Sequence, residues 1–262
     1  MSKSKVTIEE NDHVLIIELN RPEKRNAFDV EMYRDLSLAY GELHRNPNLR
    51  CGVLVARGDH FTAGLDLYEW APLFRKCRFP DLPENSIDPL GLDGEKRLDK
   101  PMVMAVQGLC LTIGIELLLA TDIRVAARDT EFCQLEIKRG LYPVGGATVR
   151  LIQEVGWGNA MRYLLTADEI SAEEAFRIGL VQELTEPGKQ RNRALDIAKT
   201  ISKQAPLGVK ATLASATLTR TQGEKAAIAR LLPDLMPIME SEDIKEGIQS
   251  FIERREATFK GC

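Results

Sequence analysis

The run Pro101-Met102-Val103-Met104-Ala105-Val106-Gln107-Gly108-Leu109-Cys110-Leu111-Thr112-Ile113-Gly114-Ile115-Glu116-Leu117-Leu118-Leu119-Ala120-Thr121-Asp122-Ile123-Arg124-Val125-Ala126 decides the fold class. Pro101 to Val106 is short and continuously apolar, which predicts a strand buried on both faces. Gly108 turns the chain, Ile113 to Ala120 is apolar enough for a buried helix, and Ile123 to Ala126 makes a second strand. Strands and helices alternating at this spacing predict an α/β fold of stacked βαβ units with mostly parallel pairing. No GxGxxG follows a strand, which argues against a dinucleotide site.

Upstream, Val6 to Ile8 and Val14 to Leu19 flank a polar Glu9-Glu10-Asn11-Asp12 turn and read as a β-hairpin. Asp29 to Arg45 has helical periodicity with Asp29 as N-cap, and Cys51 to Ala56 is another strand. The segment after Gly64 is amphipathic. It runs into a Pro- and Gly-rich stretch, Phe79 to Gly94, that reads as a long loop or mobile insertion, either covering a ligand or lying disordered at the surface. Downstream of Gly145 the pattern is helical: 147–155, 159–165, 171–178, 192–203, 207–216, 221–232 and 241–256. Ser171 and Glu174 have the spacing of a capping box. The expected division is a core over residues 1–195 and a helical region over 196–262.

Composition narrows the function. The 262 residues carry 35 basic and 39 acidic side chains, interspersed, for a net charge of −4. A nucleic-acid partner would require a basic stripe that is missing. Five widely spaced cysteines without a CxxC predict reduced thiols, and neither a signal peptide nor an apolar run of membrane-spanning length is visible, so a cytoplasmic location is expected. His13, His44 and His60 lie far apart and out of metal-ligand spacing, so no metal site is expected. The same scarcity leaves a Ser or Cys nucleophile without an obvious base. Carboxylates and backbone groups are the remaining candidates for chemistry.

Glu116 lies in the most apolar window of the chain. Burial there disfavours its charged form and moves its pKa toward the range of an acid/base catalyst; the structural alternative is a buried acid satisfied by an arginine or by backbone donors. Glu136, in Phe132-Cys133-Gln134-Leu135-Glu136-Ile137-Lys138-Arg139-Gly140-Leu141-Tyr142-Pro143, is the second candidate, with pairing to Lys138 or Arg139 as its structural alternative. Two carboxylates in one pocket push their pKa values apart into an acid and a base.

Several stretches together resemble the enoyl-CoA hydratase/isomerase (crotonase) superfamily over nearly the whole chain. They are Leu19-Asn20-Arg21-Pro22 with Asn26-Ala27, Phe61-Thr62-Ala63-Gly64-Leu65-Asp66-Leu67, Lys100-Pro101 with Ala105-Val106-Gln107-Gly108, and Ala120-Thr121-Asp122-Ile123-Arg124-Val125-Ala126. Glu136 with Gly140 and Pro143, Leu165-Thr166-Ala167 through Gly179-Leu180-Val181, and an ending from Ser241 to Gly261 complete the set. The resemblance implies a crotonase-like spiral of repeated ββα units and a helical C-terminal region that builds homotrimers or hexamers. It implies an acyl-CoA thioester as substrate, with coenzyme A arriving as part of that substrate and no separate cofactor.

The resemblance also assigns roles. The backbone N–H groups of Leu65 and Ile113 hold the thioester oxygen, Glu116 activates water, and Glu136 delivers a proton to C2 of a 2-trans-enoyl-CoA. Isomerases of the family keep a carboxylate at the Glu136 place and lose the other, so Glu116 favours hydration. The alternatives are migration of a 3-enoyl double bond and a catalytically weak acyl-CoA-binding member. Lys24, Arg25 and Lys260 are candidate partners for CoA phosphates, and Ala27, Ala63, Asp66, Leu67 and Gly114 for the rest of the substrate. The chain departs from many hydratases in having Ile113 within Thr112-Ile113-Gly114-Ile115 where consecutive glycines are common, Leu135 in place of a proline, and Val144 in place of a glycine. A β-branched Ile113 keeps its N–H and narrows the space beside the thioester.

Overall fold

A computed structural model describes residues 4–92 and 97–262. Met1 to Lys3, and the end of the Pro- and Gly-rich stretch at Asp93 and Gly94, lie outside the described residues. In chain order the elements are β1 (Val6–Asn11), β2 (Val14–Leu19), α1 (Val30–Arg45), β3 (Cys51–Ala56), α2 (Leu67–Phe74), β4 (Met102–Val106), β5 (Leu109–Leu111), α3 (Ile113–Ala120), β6 (Ile123–Ala127) and β7 (Glu131–Cys133). There follow α4 (Ala147–Val155), α5 (Trp157–Thr166), β8 (Ile170–Ser171), α6 (Ala172–Arg177), β9 (Glu183–Thr185), α7 (Gln190–Ser202), α8 (Pro206–Gln222), α9 (Glu224–Met239) and α10 (Glu242–Glu253).

Six strands form one sheet in the order β1-β2-β3-β4-β6-β9, parallel except for the β1–β2 hairpin. Alternate residues serve two cores. Leu15, Ile17, Leu54, Met102 and Met104 face α1 and α3, while Val14, Ile16, Val53, Val55, Val103 and Ala105 face the other way onto Ala194 and Ala198 of α7. Both faces are covered, which explains why these strands read as unbroken apolar runs. Three short strands make a second sheet, β5-β7-β8, and Thr62 bridges to Cys110 of β5. Each turn of the spiral therefore sends one strand to each sheet before its helix: β3, Thr62, α2, then β4, β5, α3. No helix among the described residues is long and apolar enough to cross a membrane.

Several expectations are corrected. The hairpin turn is only Asp12 and His13; Glu9 to Asn11 belong to β1, an edge strand whose outward side chains can be polar. Residue 195 falls within α7, whose Ala194 and Ala198 are part of the core. Gly223 separates α8 from α9, and α9 continues through Pro233 and Pro237 rather than ending at Leu232. The described part of the Phe79 stretch is packed: Ile87 and Leu90 are buried, and Arg150 donates to the carbonyls of Leu90 (2.6 Å) and Gly91 (2.9 Å).

Asp29, 2% exposed, caps α1 by accepting from the Met32 N–H at 2.9 Å and pairs with Lys5 at 2.8 Å and Arg21 at 3.3 Å. Replacing it with Ala strands two cations and an N–H. We expect a loss of about 1–2 kcal/mol in urea unfolding, most of the cap returning with Asp29→Asn. An unchanged midpoint in the Ala variant would remove the cap from the account of α1.

Candidate active site

The start of α3 is held against the segment before α2 by a close backbone approach. Gly64 has φ +105°, and a Cβ there would lie 2.5 Å from Thr112 Oγ1; Thr112 itself sits at φ 49°. This juxtaposition brings residue 65 beside residue 113. Among the described residues neither the Leu65 nor the Ile113 N–H donates to a protein acceptor. Leu65 and Thr112 line a cavity of about 720 Å³. Ile113 does not; its side chain is buried in the core and its N–H stands at the first position of α3, where a helix presents free donors.

Glu116, one turn into α3, is 4% exposed and reaches this cavity. Its Oε1 accepts from the Gly145 N–H at 2.6 Å and the Ala147 N–H at 3.3 Å, at the start of α4. The structural alternative, backbone donors, is therefore met while the carboxylate still faces the cavity. A Cβ on Gly145 would come within 2.7 Å of the Glu116 carboxyl carbon, so the contact requires glycine. Burial pushes the Glu116 carboxyl up to about 7, against the opposing pull of those two N–H groups and the Arg150 charge.

Glu136 opens a short 3-10 turn, Glu136–Arg139, closed by Gly140 at φ 74°. It lines the same cavity, and burial, together with the nearby Glu116 charge, pushes its carboxyl up to about 7 as well, while its own backbone N–H opposes the shift. Neither Lys138 nor Arg139 pairs with it among the described residues. With its amide oriented to satisfy its surroundings, the buried Gln134 donates to the Thr112 carbonyl at 3.1 Å and to Glu136 Oε2 at 3.3 Å. Gln134, Gly145 and Ala147 are positioning residues that sequence reasoning missed; only the run of two glycines, Gly145-Gly146, after Pro143 hints at a close approach.

Of the other expected contacts, Ala63 and Leu67 line the cavity, and Asp66 stands between them as the residue preceding α2. Lys24 and Arg25 are exposed beside its rim, where the Arg25 carbonyl accepts from the Ala63 N–H at 2.9 Å; Ala27 follows on the same turn. Gly114 and Lys260 do not line the cavity. Gly114 packs on Thr62 and Cys110, and Lys260 belongs to the end of the chain tied to Asp243 of α10. Leu135 and Val144 lie on the cavity wall, beside Phe74, Phe79, Leu141 and Tyr142.

The enoyl-CoA hydratase/isomerase family model matches residues 9–262. The chain belongs to that family. It is an enoyl-CoA hydratase-like enzyme on the crotonase fold. An enoyl-CoA hydratase of Mycobacterium tuberculosis is 35% identical over 256 residues, covering 97% of this chain and 95% of the relative. The crystal structure of a probable enoyl-CoA hydratase/isomerase from Mycobacterium abscessus is 47% identical with a TM-score of 0.95, covering 98% of this chain and 99% of the other. A Dictyostelium discoideum protein named as a mitochondrial Δ(3,5)-Δ(2,4)-dienoyl-CoA isomerase is 27% identical, covering 97% of this chain and 90% of its own.

The raised Glu116 pKa has a consequence for stability. The folded protein holds this proton more tightly than the unfolded chain, so the contribution is fully favourable below about pH 4.5 and is lost as pH rises through about 7. Glu116→Gln removes that cost. The variant should gain on the wild type progressively from pH 4.5 to pH 8, by on the order of a few kcal/mol at the top of the range. Equal stability of the two proteins across that range in urea titrations would contradict the raised pKa.

Proposed function

We propose that the enzyme adds water across the 2,3 double bond of a 2-trans-enoyl-CoA to give a 3-hydroxyacyl-CoA, the reaction type of fatty-acid β-oxidation. The observation that carries this reading is the pair of glutamates facing one largely apolar cavity, each with its carboxyl pushed up to about 7. At neutral pH such a pair readily holds one proton between them, the state in which one carboxylate is a base and the other an acid. Glu116, anchored by two N–H groups, takes a proton from water as its oxygen bonds to C3. Glu136 gives its proton to C2. The negative charge that develops on the thioester oxygen falls to the N–H groups of Leu65 and Ile113, aided by the α3 dipole.

Water thus supplies every atom added, and the chemistry calls for no cofactor beyond the coenzyme A of the substrate. Lys24 and Arg25, beside the rim, are the proposed phosphate contacts. The exposed stripe Ile228, Leu232 and Met236 on α9, with Phe251 and Ile252 on α10, supports assembly into a homotrimer or hexamer. Five unpaired cysteines support a reducing, cytoplasmic setting. The test is the loss of conjugated-thioester absorbance with crotonyl-CoA and longer enoyl-CoAs, for the wild type, Glu116→Gln and Glu136→Gln. Turnover that either substitution abolishes supports the reading. No hydration at any chain length would replace it with isomerisation of a 3-enoyl-CoA, assayed on the same proteins.

A further inference from the structure

A second cavity of about 620 Å³ adjoins the first, walled by Tyr33, Leu82 and Asp88. Phe79 is the one residue, among the described residues, that lines both this cavity and the one holding Glu116 and Glu136. Its ring is half-buried and lies edge-on to Phe74 (centroids 5.8 Å apart) and Trp70 (6.1 Å). Trp70 itself is fixed: it is fully buried, stacks edge-on to Tyr33 at 5.2 Å, and donates its indole N–H to the Phe28 carbonyl at 2.9 Å. The partition is therefore one aromatic ring on an irregular segment, set against a rigid aromatic neighbour. On the far wall, the Glu116 charge still bears on the Tyr33 phenol, adding to the burial and the Asp88 contact that hold it protonated. The two cavities thus share the Phe79 ring as a common wall.

We propose that Phe79 is the specificity-determining residue of this enzyme: its ring closes the acyl cavity against the second one and sets the upper limit on acyl size. The inference rests on the acyl-CoA reading of the site. The second cavity has a mixed wall, Leu82, Pro83 and Leu92 beside Glu84, Asn85 and Asp88. Two of its hydroxyls are already paired, Tyr33 Oη donating to Asp88 at 2.5 Å and Ser86 Oγ to the Pro83 carbonyl at 2.6 Å, so methylenes or a ring passing them would strand neither donor. A tail ending in a carboxylate would instead meet Glu84 and Asp88. The substrates that Phe79 excludes are thus long or ring-bearing neutral enoyl thioesters.

The experiment measures binding and turnover separately. Dissociation constants for the unreactive butyryl-, octanoyl- and dodecanoyl-CoA are taken by calorimetry on the wild type, Phe79→Ala and Phe79→Leu, with kcat/KM for the matching 2-enoyl-CoAs on the same preparations. In the wild type affinity should stop rising once the first cavity is full. In Phe79→Ala it should continue to rise, with the dodecanoyl-to-butyryl affinity ratio shifted by about tenfold or more, the effect of one or two newly buried methylenes. Phe79→Leu, which keeps an apolar side chain against Trp70 and Phe74, should fall between. Identical chain-length profiles in the wild type and a folded Phe79→Ala would overturn the proposal. So would a wild type whose affinity already climbs through dodecanoyl-CoA. A shifted binding profile without hydration would leave the role of Phe79 standing and remove the hydratase reading instead.

Discussion

Glu116→Gln should lower kcat for enoyl-CoA hydration by about 10²- to 10⁴-fold and leave KM within a few-fold, the pattern of a group that acts mainly in the transition state. The amide keeps the carboxylate's shape, and its oxygen can still accept from the Gly145 and Ala147 N–H groups, so the pocket is expected to survive. What it loses is the ability to take a proton. Glu136→Gln should cost a similar factor for the opposite reason, because an amide cannot deliver a proton to C2. The wild-type pH profile follows from the same pair. Productive enzyme carries one proton on two coupled carboxyls that both titrate near 7, so kcat/KM should trace a bell centred close to neutrality, falling on the acid side as Glu116 protonates and on the alkaline side as Glu136 ionises. A profile flat from pH 5 to 9, or a Glu116→Gln variant with wild-type turnover, would discard the two-carboxylate mechanism.

Gly145→Ala is the second large effect, and it comes from a residue that carries no chemistry. The new methyl would have to occupy the space of the Glu116 carboxyl group, whose carbon would sit 2.7 Å away. Overpacking of this kind costs about 1–3 kcal/mol of stability. The relief available is for the carboxylate to move, and a displacement of about 1 Å at a reacting group can cost on the order of 10²-fold in rate. We therefore expect a lower melting temperature together with a kcat reduced by about 10²-fold, while butyryl-CoA binding, which does not depend on the water-activating oxygen, is retained. An Ala variant with unchanged kcat would mean that Glu116 finds another productive seat.

The parts of this architecture that were legible in the sequence are those with a long periodic signal. β2, β3 and β4 stand out as runs of apolar residues, and α1 announces itself through Asp29 and its buried stripe. β5, β7, β8 and β9 span only two or three residues each, too few for alternation to register, and they were missed for that reason. α9 runs past the expected end at Leu232 with Pro233 and Pro237 inside it, residues that ordinarily interrupt a helix and that leave its last turn without a sequence signal. At the site, Glu116 was visible as a charge in an apolar window. The residues that seat the two carboxylates were not: Gly145 acts through the absence of a side chain, Ala147 through its backbone, and Gln134 through a contact made only after β7 folds beside β5.

The two carboxylates are mounted on very different supports. Glu116 rides on a helix with seven of its eight residues buried, whereas Glu136, itself half-buried, begins a four-residue turn with no fully buried member. Mutational tolerance should divide along the same line. Around Glu136, substitutions can re-aim a carboxylate without disturbing a fully buried side chain of its turn, so their cost should fall on activity more than on folding. Around Glu116, nearly every change also alters the packing that holds the spiral together. One carboxylate is thus tied to the stability of the core, and the other is largely independent of it.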